Sequence, residues 1–321
     1  MRRVLRAVVA LGAALAIAVA GCRRPPGAAL PEVTLYATVG DAAARAAADG
    51  ARARGIARLR IVSAIAEGEV LWFGDPTEVV EAGAAVAEGA APDAPGADPA
   101  FTDPRRRFAP ACARAHVLVV SPRRALPFEP HGLADLADPR LAGAVALPPL
   151  ASGSYPAVLA ALRVAYGGAS VARFLSLLAK NRPLRAASDA DVRARVAAGD
   201  AAVGLVGSEE AAAGAASAAG LDVVVPDQAG AGAVLLPTAV ALAKAAAGRE
   251  APRAVAAFLA GADAERLLAA RVPGFMPLRA DVPVPAGVRP AGNVRALALD
   301  WDALAVEKQR LLPALRRWPA P

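Results

Sequence analysis

The chain has few of the side chains that enzymes and disulfide scaffolds rely on. Of 321 residues only 4% are aromatic, comprising seven Phe, three Trp and three Tyr, and there are two Cys, two His and two Met. Cys22 and Cys112 do not make a disulfide framework. Neither lies in a CxxC or beside a histidine at ligand spacing, so no structural zinc site is expected, and Cys112 reads as a small buried thiol. His116 and His131, with no Ser-His-Asp or Cys-His order around them, argue against hydrolytic catalysis. No GxGxxG or Walker sequence is present, so nucleotide use and bound cofactors are not expected. Lysine is scarce as well: Lys180, Lys244 and Lys308 are the only three among 36 basic residues.

What the chain has is small apolar side chains. It is 56% hydrophobic, with alanine by far the commonest residue, a composition that excludes disorder and favours helix. The length fits one large domain or two ordinary ones. A formal charge of +7 invites a nucleic-acid reading, but the basic residues are scattered and no nucleic-acid motif accompanies them. The one dense run, Arg105-Arg106-Arg107, reads as a solvated loop.

The N-terminus has the layout of an export signal. Arg2, Arg3 and Arg6 precede an uncharged apolar run from Val8 to Val19, which ends in Val-Ala-Gly-Cys22. This is the pattern of a bacterial lipobox. Residues 1–21 are read as a lipoprotein signal peptide, Cys22 as the lipidation site, and 22–31 as lipidated cysteine plus a Pro-rich tether. Without the first 21 residues, 33 basic face 29 acidic residues, a balance of +4. The mature chain is expected on the periplasmic side of the envelope, held by its lipid.

Along the mature chain, strand and helix patterns alternate, which indicates an α/β fold. Strands are expected at 33–38, 59–63 and 69–73, with a helix from Asp41 to about Gly55. Asp75 is placed to N-cap the next helix, with Pro76 at its first position. About five residues separate the second and third strands, too few for a parallel crossover. Either a helix is missing there or the two strands are not parallel neighbours. Residues 90–104 read as a surface loop. Residues 114–120 form the clearest strand, with Arg114 and His116 on one side. Further strands are expected at 144–147, 203–207, 221–225 and 233–236, and helices at 154–166, 170–180, 188–198, 252–259, 263–270 and 301–317.

The wording of these segments resembles the ferric-iron-type periplasmic solute-binding proteins of ABC importers. Trp72-Phe-Gly-Asp-Pro76 is similar to the family's aromatic-x-Gly-Asn-Pro turn, and Ala113 to Val119 to its first inter-domain strand. Leu133 to Pro139 is similar to its L-x-D-L-x-D-P segment, Ala198 to Leu205 to its G-x-x-A-x-G-L strand, and Val225 to Leu242 to its return crossing. The resemblance implies a type II periplasmic-binding fold, two α/β lobes hinged around a cleft. Lobe one would be 31–118 plus 233–275, and lobe two 121–230 plus 276–321. It also implies a monomer that captures a small solute and passes it to a membrane permease, without enzymatic or nucleic-acid function.

Ligands of such folds bind between the lobes at strand ends and helix N-termini. The expected ligand-binding residues are Thr38, Gly74, Asp75, Thr77, Arg114, Ser152, Ser154, Tyr155, Ser208, Glu209 and Glu210. Several of them also read as simple helix caps. Arg114 matches the family's strand arginine that can hold a synergistic anion in the iron binders; its other reading is a structural salt bridge. At Ser208-Glu209-Glu210 the iron binders carry two adjacent tyrosines, which this chain lacks. Glu209 and Glu210 are hard oxygen donors for a metal, or acceptors for ammonium and hydroxyl groups. The expected solute is therefore a small anion of phosphonate or sugar-phosphate type, or ferric iron or its chelate. The alternative is a sensing or scaffold lipoprotein that keeps the fold without serving uptake.

Overall fold

The computed structural model describes residues 29–215, 220–284 and 291–318. The export signal, Cys22 and most of the tether lie outside the described residues. The chain opens with β1 (Glu32–Ala37), α1 (Asp41–Ala53), β2 (Arg58–Val62), β3 (Val70–Phe73) and α2 (Pro76–Ala82), then reaches the long strand β4 (Ala109–Val120). Next come β5 (Val145–Leu147), α3 (Tyr155–Tyr166), α4 (Gly168–Lys180), the short β6 (Leu184–Arg185), α5 (Asp189–Ala198), β7 (Val203–Gly207), α6 (Ser208–Ala215) and β8 (Asp222–Val224). The chain returns through β9 (Leu235–Leu242), α7 (Glu250–Leu259) and α8 (Ala262–Arg271) and closes with α9 (Trp301–Arg316).

The strands run in the order β2-β1-β3-β9-β4-β7-β5-β6, with β8 also paired to β4. β4 is shared between two lobes. Its first half, Ala109 to Ala115, pairs with β9, and its second half, His116 to Val120, pairs with β7. One apolar core lies between the first sheet and α1, α7 and α8, around Leu35, Trp72, Val255, Leu259 and Leu268. The other runs from Phe73 and Val79 through Leu118 and Leu147 to Leu159, Leu178 and Leu304. Among the described residues no helix is long and apolar enough to cross a membrane.

The short link between β2 and β3 has a geometric answer. Both strands pair parallel to β1, which lies between them. Val62 at the end of β2 sits opposite Tyr36, and Val70 at the start of β3 sits opposite Leu35. The chain therefore steps back by one residue level only, and a 3-10 turn at Ile65–Glu67 suffices. The full crossover is needed only when strands start level with one another.

Three local readings change. The strand expected at 233–236 starts at Leu235 and runs to Leu242 despite Pro237, because β4 shifts register between Pro110 and Ala113 and Ala113 exchanges backbone hydrogen bonds with Met276 instead. Proline removes a ladder donor, so a bulge is where a central strand tolerates it. β6 is two residues long and carries no alternation to find. Arg107 is not solvated: it is buried with Asp103 and reaches Asp302 of α9, while Arg105 and Arg106 do stay at the surface.

Candidate functional site

A cleft of about 430 Å³ lies between the lobes, against the middle of β4. From the first lobe it takes Thr38, which follows β1, and Glu78 in the first turn of α2; β4 contributes Arg114 and His116. The second lobe supplies the turn Ser152-Gly153-Ser154, Tyr155 at the start of α3, Ser188 and Asp189 at the start of α5, and Gly207, Glu209 and Glu210 where β7 enters α6. Three helix starts of the second lobe thus converge, each presenting N–H groups without intrahelical acceptors. Those of α5 and α6 already hold acids of their own in the first turn, Asp189 and Asp191 in one and Glu209 and Glu210 in the other. The first turn of α3 has none.

Of the eleven expected residues, the structure brings Thr38, Arg114, Ser152, Ser154, Tyr155, Glu209 and Glu210 to the cleft. Gly74 sits just behind them and accepts from Arg114 Nη2 at 2.6 Å. A Cβ at this position would lie 2.9 Å from that guanidinium and 3.1 Å from Glu78. Asp75 and Thr77 are fully buried beneath the cleft wall. Asp75 caps α2 by accepting from the Thr77 N–H at 2.8 Å, and Thr77 accepts from Lys308 at 2.8 Å. Ser208 is turned away: its hydroxyl donates to the Gly274 carbonyl at 2.8 Å and accepts from the Ala115 N–H at 3.3 Å.

Among the lining residues that were not expected as ligand contacts, Glu78, Ser188 and Asp189 are the polar ones at helix starts. Each looks like an ordinary helix-start residue, and only the signal of a capped helix beginning at a strand end points to it.

The charges are unevenly distributed. Arg114 pairs with Glu209 at 3.1 Å, and its side chain is 17% exposed. Burial works against its charge, but Glu209, aided by Asp75 and Glu78, outweighs it and raises its pKa. Glu210 is paired with Arg193, behind the lining. Glu78 accepts from the Thr38 hydroxyl at 2.6 Å, and Asp189 from the Tyr155 hydroxyl and the Gly207 N–H, both at 2.7 Å. Burial lifts the pKa of Glu78, with Asp75 adding to it. Burial also lifts that of Asp189, despite its hydrogen bonds, with Glu209 and Glu210 adding to it. The lining thus carries four carboxylates against one guanidinium.

His116 packs edge-on to Tyr155, with ring centroids 4.8 Å apart. Burial first, and then Arg114, push its pKa down to about 3, so the ring is neutral. Its Nε2 lies 3.0 Å from Ser154 Oγ, while Nδ1 is buried without a hydrogen-bond partner. An unpaired acceptor is tolerated more readily than an unpaired buried N–H. The ring therefore carries its proton on Nε2 and donates it to Ser154, which leaves the Ser154 hydroxyl proton free to point at a ligand. Tyr155, held by Asp189 in a buried setting, has its pKa raised and stays a neutral phenol. Among the described residues no group of three or more His, Cys, Asp or Glu side chains is disposed to hold a metal ion.

Comparison with known proteins fits this geometry. Residues 84–305 match the family model of bacterial extracellular solute-binding proteins. No curated protein matches the sequence significantly. Among solved structures, the fold is similar to the apo ferric ion-binding protein A of Pasteurella haemolytica, with TM-score 0.77 and 19% identity over 89% of this chain and 97% of the other. It is also similar to the Trichodesmium protein IdiA/FutA in complex with iron and citrate, with TM-score 0.75 and 17% identity over 89% and 98% of the two chains. A third likeness is to the periplasmic binding protein AfuA of Actinobacillus pleuropneumoniae, solved with fructose 6-phosphate bound, with TM-score 0.73 and 16% identity over 88% and 97%.

Proposed function

The chain belongs to the bacterial extracellular solute-binding protein family, whose members bind solutes rather than catalyse reactions, and on that premise we propose that it is the capture subunit of an ABC importer for a small anionic solute that also carries hydroxyl or ammonium groups. Polyol phosphates and aminoalkylphosphonates have this chemistry. The observation that carries the reading is the uneven lining: four carboxylates, Glu78 from the first lobe and Asp189, Glu209 and Glu210 from the second, together with one helix start free of acids, the first turn of α3, preceded by Ser152 and Ser154.

A phosphate or phosphonate group suits the α3 end, where N–H groups and the helix dipole favour negative charge and the Ser154 hydroxyl adds a donor. Glu78, Asp189, Glu209 and Glu210 suit hydroxyl or ammonium donors on the rest of the solute. Arg114, already engaged by Glu209 and the Gly74 carbonyl, orders the acidic lining and turns towards an incoming anion only if Glu209 releases it. Ferric ion fits less well, because Tyr155 is occupied by Asp189 and no other tyrosine lines the cleft.

The solute touches residues on both sides of β4, so binding favours a closed arrangement of the lobes 31–118 plus 233–275 and 121–230 plus 276–321. The mature protein is tethered to the membrane through Cys22, works as a monomer in the periplasm and docks on a permease in the inner membrane.

A thermal-shift screen over polyol phosphates, aminoalkylphosphonates, inorganic phosphate and ferric citrate tests the reading. A rise in melting temperature with the first or second class, together with a smaller radius of gyration in solution scattering, is expected. Stabilisation by ferric citrate alone contradicts it.

A further inference from the structure

α9 reaches both walls of the cleft from behind. It packs along α2 and α3, and adjacent residues fasten it to each. Glu307 accepts from Arg163 of α3 at 2.7 Å. Lys308 donates to the Thr77 hydroxyl of α2 at 2.8 Å and pairs with Glu81 at 3.0 Å. These are the two helices whose first turns carry Glu78 and Tyr155 into the cleft.

Lys308 stands out in a chain whose basic residues are nearly all arginine. Of the three lysines it alone is buried. A buried ammonium carries a desolvation cost of several kcal/mol and persists only where it is met by partners. Here the partners form a relay: Lys308 donates to Thr77, and the Thr77 hydroxyl donates to Asp75 Oδ1, the atom that also caps α2. The relay ends one turn from Glu78. A lysine suits this niche because its ammonium is a compact donor, whereas arginine brings a wide planar fork.

The groups facing Glu78 come from four elements: Asp75 at the cap of α2, the Thr38 hydroxyl after β1, Arg114 from β4 and Lys308 from α9. Burial and Asp75 raise the Glu78 pKa, while Thr38, Lys308 and Arg114 oppose them.

We propose that Lys308 is a positioning residue for solute capture: acting from α9 through Thr77 and Asp75, it sets the first turn of α2 and keeps the Glu78 carboxylate in the cleft as an acceptor for the solute. This role rests on the capture function proposed above. Without Lys308 one opposing charge is gone, so Glu78 takes up its proton at higher pH and the acceptor is lost earlier as pH falls.

The test is an NMR titration of the Glu78 side-chain carboxyl, assigned with Glu78→Gln, in the parent protein, Lys308→Met and Lys308→Arg. Calorimetry with fructose 6-phosphate as probe accompanies it at acidic and neutral pH. Lys308→Met is expected to move the Glu78 midpoint upwards and to weaken the probe roughly tenfold at neutral pH, the loss of one charge-assisted hydrogen bond. Lys308→Arg restores the charge and returns the midpoint part of the way. A folded Lys308→Met protein with an unmoved Glu78 midpoint overturns the proposal. If Lys308→Met does not fold, Lys308→Gln removes the charge while keeping a donor for Thr77, and an unmoved midpoint there overturns it equally. Failure of the parent protein to bind the probe counts against the capture reading, while the titration still decides the role of Lys308.

Discussion

Behind the cleft, the buried Arg107 is held by Asp103 at 2.8 Å and by Asp302 of α9 at 2.6 Å. Within the cleft, Glu78 and Asp189 are half-buried, and they face hydroxyls and one N–H group instead of an ion-pair partner. The electrostatic consequences are opposite. The hydrogen bonds that Arg107 donates to Asp103, together with those to Asp302, raise its pKa against burial, and Asp103 is lowered although burial resists it. Glu78 and Asp189 are raised by burial. One region completes its charge from within the chain and serves the fold. The other keeps charge under-compensated, which is costly in the empty protein and useful when a solute supplies the missing donors.

That contrast is most sharply broken by Arg107→Ala. It strands Asp103, whose side chain is 1% exposed, and is expected to cost about 3–5 kcal/mol in denaturant unfolding, while the fraction that remains folded binds solute as before. Gly274→Ala is expected to cost about 3 kcal/mol, because Gly274 has φ +91 and a Cβ there would lie 2.4 Å from the Ser208 carbonyl oxygen and Glu209 Cα. Unlike Arg107→Ala, it pushes on the start of α6, so calorimetry should show weaker solute binding in addition to lower stability.

Glu78→Gln should act in the opposite sense to both. It removes a half-buried carboxylate that has no ion-pair partner while keeping an acceptor for Thr38, so the melting temperature of the free protein is expected to rise by about 2 °C. Solute affinity is expected to fall roughly tenfold. A fall in both quantities breaks the proposed division between the two regions.

The smallest effect is the separation of two pH profiles. Glu78 and Asp189 have raised folded-state pKa values, so their ionised forms cost stability at neutral pH, and that cost is relieved as pH falls through those values. Solute affinity declines over the same range, because the acceptors are lost. Asp103 is lowered from 3.8, so its stabilisation is present above that value and is lost only as pH falls through its folded pKa. His116, at about 3, stays neutral throughout the range above. Mild acidification should therefore weaken calorimetric binding before it lowers the melting temperature.

Much of the fold was legible because its local rules agree. Asp75-Pro76 announces α2, Ser188 caps α5, and the apolar run 203–207 is a buried strand. What stayed hidden depends on distance along the chain. Arg107 and Asp302 are 195 positions apart, and nothing local distinguishes Arg107 from its two solvated neighbours. The link before Glu69 was puzzling because strand stagger cannot be read from one segment. In the cleft, Arg114, Tyr155 and Glu209 were legible from strand face and helix start. Glu78 and Asp189 were not, since a first-turn acid looks the same whether it serves its own helix dipole or a ligand. Asp75 and Thr77 show the converse: their helix-start chemistry was visible, and the structure uses it beneath the cleft wall.

The central claim is that the lining carboxylates and the acid-free start of α3 act on one solute, and calorimetry at neutral pH tests it by comparing a phosphorylated sugar with the same sugar unphosphorylated and with inorganic phosphate. The account predicts that the phosphorylated sugar binds at least about tenfold more tightly than either part, a gain of about 1.4 kcal/mol or more. Inorganic phosphate binding as tightly as the whole molecule, or the sugar alone doing so, would contradict it.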